Sequence, residues 1–265
     1  MVEAALSHLP LQSSLLTREG SLRDEAQNRQ LAWSMAFVAG AVNAGGFLAV
    51  GHYTSHMTGV VSTMADELAL GEWTVAGVAL AMLLAFVSGA FLSTTLISVG
   101  QRLNLRSRYA IGLLCEAGLL LLFGISGSQL NERVDFFVPA TVMLLCFIMG
   151  LHNALTTNLS GAAVRTTHLT GVVTDIGIEL SRLFYFNWRE RRNTVRILAD
   201  RKKLALVSLV FTSFFVGAVT GAIGFKRYGF KVTIPLAGFL CYLAIRPVLH
   251  EIRVYLRLLR KNLQD

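Results

Sequence analysis

Two histidines open matching segments, His56-Met57-Thr58-Gly59-Val60-Val61 and His168-Leu169-Thr170-Gly171-Val172-Val173. A neutral histidine ring offers one donor and one acceptor. Threonine caps helices, and glycine lets a backbone or ligand approach closely. Helix N-termini carry unpaired N–H groups and partial positive charge, so two of them converging on one cavity would hold an anionic or polar group. Other polar residues stand nearby in apolar surroundings. Asn43 and Asn153 each follow a glycine by three positions, Arg165 precedes the second motif, and Asp175 lies within its helix. Glu116 is a lone carboxylate about seven residues into an apolar run, ~10 Å deep by helical rise. The chemistry these residues suit is binding and exchange. His56, Thr58, Gly59, His168, Thr170, Gly171, Asn43, Asn153 and Arg165 are the candidate solute ligands. Glu116 and Asp175 are the candidate proton- or ion-coupling groups. Each has a purely architectural alternative: asparagines bonding the two repeats together, histidines satisfying loop backbone, Arg165 reaching to headgroups, and Glu116 bracing helices as a neutral acid.

Bond-making chemistry finds little support. There is no HExxH, no Walker A loop, no Rossmann glycine fingerprint and no metal-type Cys/His spacing, so neither a metal nor a cofactor is expected. Cys115, Cys146 and Cys241 lie in apolar runs and read as small hydrophobes. Gly124-Ile125-Ser126-Gly127 matches the short GxSG string of intramembrane serine proteases. The last span offers only His250, at the opposite membrane face, and a serine without a base at its own depth stays unactivated. The chain is therefore not expected to be an enzyme, and an intramembrane serine hydrolase is a minor alternative.

The elements that position these residues follow from composition. Of 265 residues, 54% are apolar and only 15% charged, against about 25% charged in a soluble domain; the mean hydropathy is +0.56. Six apolar runs, Leu31–Val50, Thr74–Val99, Tyr109–Ile125, Phe136–Leu155, Leu204–Phe225 and Val232–Leu249, are each long enough to cross a bilayer as a helix. The expected fold is thus all-α and polytopic, in contact with lipid. Residues 1–30 form a polar tail unlike a signal peptide, and residues 250–265 a basic one.

Charge placement supplies the orientation. Summing Lys and Arg over alternate connections places nineteen on one side and four on the other, so both termini are expected in the cytoplasm. The net charge of +8 is accordingly topogenic, and no nucleic acid partner is expected. Arg182, Arg189, Arg191, Arg192, Arg196, Arg201, Lys202 and Lys203 make a basic cytoplasmic connection suited to lipid headgroups. Gly217-x-x-x-Gly221 permits close helix packing, within a protomer or in a homo-oligomer.

An internal repeat organises the whole. Gly40, Asn43, Ala44 and Gly51 recur as Gly150, Asn153, Ala154 and Gly161. Over 56–68 against 168–180, seven of thirteen positions are identical, where unrelated segments share about one. The unit contains three spans, an odd number, so its second copy is upside-down. Repeat 1 covers 31–127 and repeat 2 covers 128–249. Inverted repeats with interrupted helices are a recurring plan of secondary transporters, with the solute site at the repeat interface. Each motif begins a short amphipathic helix, Thr58–Leu70 in the first, which either re-enters the membrane beside a cavity or lies flat in the interface.

Gly40-x-x-Asn43-Ala44, Ser55-His56-Met57-Thr58-Gly59 and above all Arg165-Thr166-Thr167-His168-Leu169-Thr170-Gly171 resemble the YoaK family of bacterial multi-pass membrane proteins, over about residues 30–249. Val60 stands where that pattern suggests a polar Asn. The resemblance implies a cytoplasmic (inner) membrane protein and, the family being grouped under a domain of unknown function, no substrate. The residues favour a carrier of a small polar or anionic solute; the alternative is a membrane scaffold or regulatory partner.

Overall fold

Asp24 starts the first helix with a reciprocal cap. Its carboxylate accepts from Gln27 N at 2.7 Å while the Gln27 side chain accepts from Asp24 N at 3.3 Å. The helix therefore begins at Glu25, six residues before the apolar run, and takes in the end of the expected polar tail. The structure, a computed structural model, describes Leu16 and residues 24–51, 53–105, 107–128, 134–185 and 198–262. Most of the N-terminal tail and the run Arg189, Arg191, Arg192 and Arg196 lie outside the described residues. Leu16 is buried among the core residues.

The described residues form eight α-helices and no strand: α1 (Glu25–Val50), α2 (Met57–Leu70), α3 (Trp73–Arg102), α4 (Arg108–Ser128), α5 (Val134–Ser160), α6 (Leu169–Phe184), α7 (Arg201–Tyr228) and α8 (Thr233–Asn262), with a 3-10 turn at Gly229–Val232. Five stretches are long and apolar enough to cross a membrane: Glu25–Leu48, Trp73–Arg102, Arg108–Gly127, Ala140–Ser160 and the 53-residue Arg201–Arg253, which takes in both α7 and α8. The last helix continues well past Leu249, through most of the basic tail.

Helices α1 and α5 supply the largest shares of the core, with Leu31, Met35, Val38, Leu145, Ile148 and Met149 almost fully buried. Helix α1 packs on α7, α3 on α5, and α4 on α5 and α8. Glycines set two of these contacts. A Cβ on Gly40 would collide with the Phe214 carbonyl and one on Gly217 with that of Phe37; a Cβ on Gly89 would meet the Phe147 carbonyl and one on Gly150 that of Phe86. Gly221 likewise makes room for Ala41, so the Gly217-x-x-x-Gly221 stripe packs within the chain. Such close backbone approach is what small residues give helices in lipid.

Polar ties give the helix directions. Lys202 and Glu25 join the first turns of α7 and α1, which thus run parallel. Asn158 Nδ2 donates to Thr94 Oγ1 at 3.3 Å, in the same sense along α5 and α3. Glu251 Oε2 accepts from Ser107 N at 3.0 Å, so the end of α8 meets the start of α4. Large apolar side chains cover the outer face, including Phe91 at 74% and Leu84 at 57% exposed. An apolar exterior on this scale has no place in water.

Candidate functional site

The twin motifs are built by the same local rules. Helix α1 ends where Gly51 takes a left-handed φ of 76°, and α5 ends at Gly161 with φ 58°, conformations that cost other residues about 1 kcal/mol. The chain then turns back. Asn43 Oδ1 accepts from Ser55 N at 3.3 Å and from Ser55 Oγ at 2.9 Å. In the twin, Asn153 Oδ1 accepts from Thr167 Oγ1 at 2.6 Å while its Nδ2 donates to Met149 O at 2.9 Å. Each asparagine thus fastens the residue before the histidine to the preceding helix of its own half, and neither joins the two repeats to each other. Thr54 and Thr166, one position earlier, are fully buried in both copies, and neither hydroxyl has a partner among the described residues. Asn153→Ala is expected to lower stability by about 1 kcal/mol, the worth of one side-chain hydrogen bond, measured by thermal unfolding in detergent; Asn43→Ala should match it.

His56 and His168 occupy the N-cap positions of α2 and α6, and neither side chain caps. Their rings fold over the first turn. A Cβ on Gly59 would run into His56 Cδ2 and Nε2, and one on Gly171 into His168 Cε1 and Nδ1. The glycine three residues after each histidine is there to seat the ring. Thr58 and Thr170 fall at the second helical position rather than at the cap, a correction to the sequence reading.

Helix α2 has no buried residue and packs on α3, with Val61 and Leu68 exposed. Helix α6 packs on α7 and buries only Val172 and Glu179. Each short helix packs chiefly on one long helix, and Met57, Val60, Leu169 and Ile176 also rest against the core. The Glu179 carboxylate, fully buried, accepts from Arg182 Nη1 and from Asp200 N, both at 2.8 Å, and so ties α6 to the start of α7.

One cavity of about 1000 Å³ opens where α1 and α7 begin, α5 ends and α6 starts. Arg165, His168, Thr170, Gly171 and Asp175 line it, joined by Glu25, Arg29, Asp200, Arg201, Lys202 and Lys203. His56, Thr58, Gly59 and Asn43 do not, so the two motifs do not converge on this cavity. Five basic side chains face three acidic ones. Lys203 Nζ meets Asp175 Oδ1 at 2.8 Å, which makes Asp175 half of a surface ion pair. Lys202 pairs with Glu25; that hydrogen bond, and next the Glu25 charge, hold the ammonium above its ordinary pKa. Asp200 caps α7 by accepting from Lys202 N and Lys203 N at 3.0 Å each. Arg29, Arg165 and Arg201 are left with no carboxylate partner among the described residues. Among the described residues the cavity is therefore electropositive, lined by three arginines and the N-terminus of α6.

Glu116 is almost fully buried, and its partner is a residue that sequence reasoning passed over. His152 Nδ1 lies 2.7 Å from Glu116 Oε1, and both side chains are 1% exposed. His152 falls inside the repeat match, but its counterpart is the apolar Val42, so a search for duplicated polar residues misses it. An ionisable residue within an apolar span was the available signal. Ser126 lies between Gly124 and Gly127, whose missing side chains admit Thr233 and Phe230.

These features agree with what the chain is similar to. It is 25% identical over 206 residues to the UPF0700 transmembrane protein YoaK of Bacillus subtilis (strain 168), covering 76% of this chain and 86% of the relative. No solved structure matches. The transmembrane relative and the long apolar helices make this a multi-pass membrane protein in contact with lipid. Residues 31–246 match the family model described as protein of unknown function (DUF1275), and the chain belongs to that family.

Proposed function

We propose that this protein carries a small anionic solute across the cytoplasmic membrane, through two inverted three-helix repeats that cross it six times with both termini in the cytoplasm. The electropositive cavity carries the functional reading. Arg29, Arg165 and Arg201 have no carboxylate partner among the described residues, and about 1000 Å³ is room for a small organic or inorganic anion. Guanidinium groups suit carboxylate and phosphate because their planar donors match such oxygens in pairs.

The architecture supports an inverted duplication. The α1–α7 contact pairs Phe37-x-x-Gly40 with Phe214-x-x-Gly217, and the α3–α5 contact pairs Phe86-x-x-Gly89 with Phe147-x-x-Gly150, each glycine resting on the opposite phenylalanine's carbonyl. A two-fold relation exchanges these contacts. The duplication reaches the last helices, where Gly112-Leu113-Leu114-Cys115 of α4 matches Gly238-Phe239-Leu240-Cys241 of α8. The cavity lies at the membrane face that the positive-inside rule assigns to the cytoplasm.

Purified protein in proteoliposomes, offered inorganic phosphate and a panel of small carboxylates, tests the proposal. Uptake above empty liposomes of at least one anion is expected, with Arg165→Gln and Arg201→Gln each weakening its apparent affinity about tenfold or more, as loss of a charged hydrogen bond does. Flux equal to that of empty liposomes across the panel overturns the carrier reading and leaves a scaffold.

A further inference from the structure

We propose that Glu116 and His152 together hold one exchangeable proton, and that this proton travels with the anion; the second clause rests on the carrier reading above. The pair joins α4 to α5 through Glu116 Oε1 and His152 Nδ1, 2.7 Å apart. One proton occupies that hydrogen bond. Glu116 Oε2 and His152 Nε2 are both buried without a partner among the described residues, and these two atoms are where a second proton binds. With the second proton the pair is neutral; without it the pair carries one negative charge. A net charge in a water-excluded interior is costly, so the pair takes up the proton when sealed and releases it only when water or a cation reaches it.

The surroundings fit that role. Helices α1 and α3, which pack on α5, place no fixed cation within their apolar stretches. Helix α3 has no ionisable residue between Trp73 and Arg102, and α1 has none after Arg29. Within the apolar runs of α4, α5 and α8 the other titratable or charged residues are Tyr109, Cys115, Cys146, Cys241, Tyr242 and Arg246. A polar face of α5 leads from the pair to the cavity. Thr156 and Ser160 follow His152 at four-residue spacing, both buried, and Ser160 Oγ accepts from Val164 N at 3.0 Å in the loop that brings Ala162, Ala163 and Arg165 to the cavity. An anion there favours protonation of the pair by simple attraction, and by linkage the proton favours the anion equally.

Two measurements test this. In nanodiscs, infrared difference spectra across a pH titration should contain a carboxylic-acid carbonyl band that disappears in Glu116→Gln and shifts in His152→Gln. Folding of each variant is checked by monodisperse elution and circular dichroism; if Glu116→Gln does not fold, carbon-13 glutamate labelling of the wild type must shift the band. A titrating band that survives Glu116→Gln, or no such band at all, overturns the proton site. In proteoliposomes with the membrane potential clamped at zero, wild-type uptake of phosphate or succinate should rise about tenfold in final accumulation per pH unit of inward proton gradient, the free energy of one proton per solute. Both variants should lose that response. Wild-type uptake indifferent to the gradient overturns the coupling and spares the carrier reading. No wild-type uptake of any anion in the panel defeats the carrier reading and the coupling together, and the infrared band then decides the proton site by itself.

Discussion

Gly217→Leu is expected to leave no folded protein, and Gly40→Leu, Gly89→Leu and Gly150→Leu should do the same. At each position the new side chain would be driven into the backbone carbonyl of the facing helix, an obstacle that no rotamer change removes. Even alanine at these sites forces the helices apart and should cost about 1–3 kcal/mol, the usual price of overpacking. Not every glycine in the bundle behaves so. A Cβ on Gly77, Gly118 or Gly238 meets nothing, so alanine there should be neutral or stabilise by up to about 1 kcal/mol through helix propensity. The fraction of monodisperse protein and the melting temperature in one detergent, compared across both sets, check the contrast. Equal tolerance in the two sets would mean that the α1–α7 and α3–α5 contacts are not those described. The four damaging positions should also resemble one another in pairs, Gly40 with Gly150 and Gly89 with Gly217, because each pair occupies the same place in the duplicated unit.

Much of this was legible in the sequence, for identifiable reasons. Apolar runs of span length, and the family resemblance carried by Arg165–Gly171, depend on residue type and order alone; the family is borne out. The repeated Gly51 and Gly161 are conserved between the halves because both helices end in the left-handed region. Helix limits were harder to read. Residues 25–30 and 250–262 are rich in charged residues yet helical, one through the Asp24 cap and the other by continuing a turn already wound. The site was only half legible. Duplication drew attention to His56 and His168 equally, but a cavity depends on what packs alongside. Arg29 from α1 and Arg201 from α7 meet Arg165 at the cavity from 136 and 36 residues away in the chain. The asparagines looked like ligands because polar residues in spans are costly; the hydrogen bonds that satisfy them lie twelve and fourteen residues away in loops of no distinctive pattern. His152 was hidden by asymmetry, since a repeat draws the eye to what is shared.

Glu116 and His152 should be unequal to the sum of their parts. Glu116→Ala leaves the His152 ring buried with neither nitrogen bonded by a side chain, and His152→Ala does the same to the carboxyl group. Each single change is expected to destabilise by about 2–4 kcal/mol, combining a buried group left unsatisfied with the cavity of the lost side chain. Hydrogen bonds between membrane helices are usually worth less, ~0.6 kcal/mol on average, because the unfolded chain in lipid finds other partners. The burial of both groups, and the strong penalty for stranding one ionisable member of a pair, put this pair above that average. Replacing both with apolar residues of similar volume, Glu116→Met with His152→Leu, removes the polar groups together and should restore stability to within about 1 kcal/mol of wild type. Thermal unfolding of Glu116→Met, of His152→Leu and of the double closes the cycle. Additive losses would mean that the two side chains do not interact in the folded protein, despite their 2.7 Å approach. Recovery of stability without recovery of the proton-gradient response would separate the two roles, because a brace can be replaced by hydrocarbon and a proton-binding site cannot.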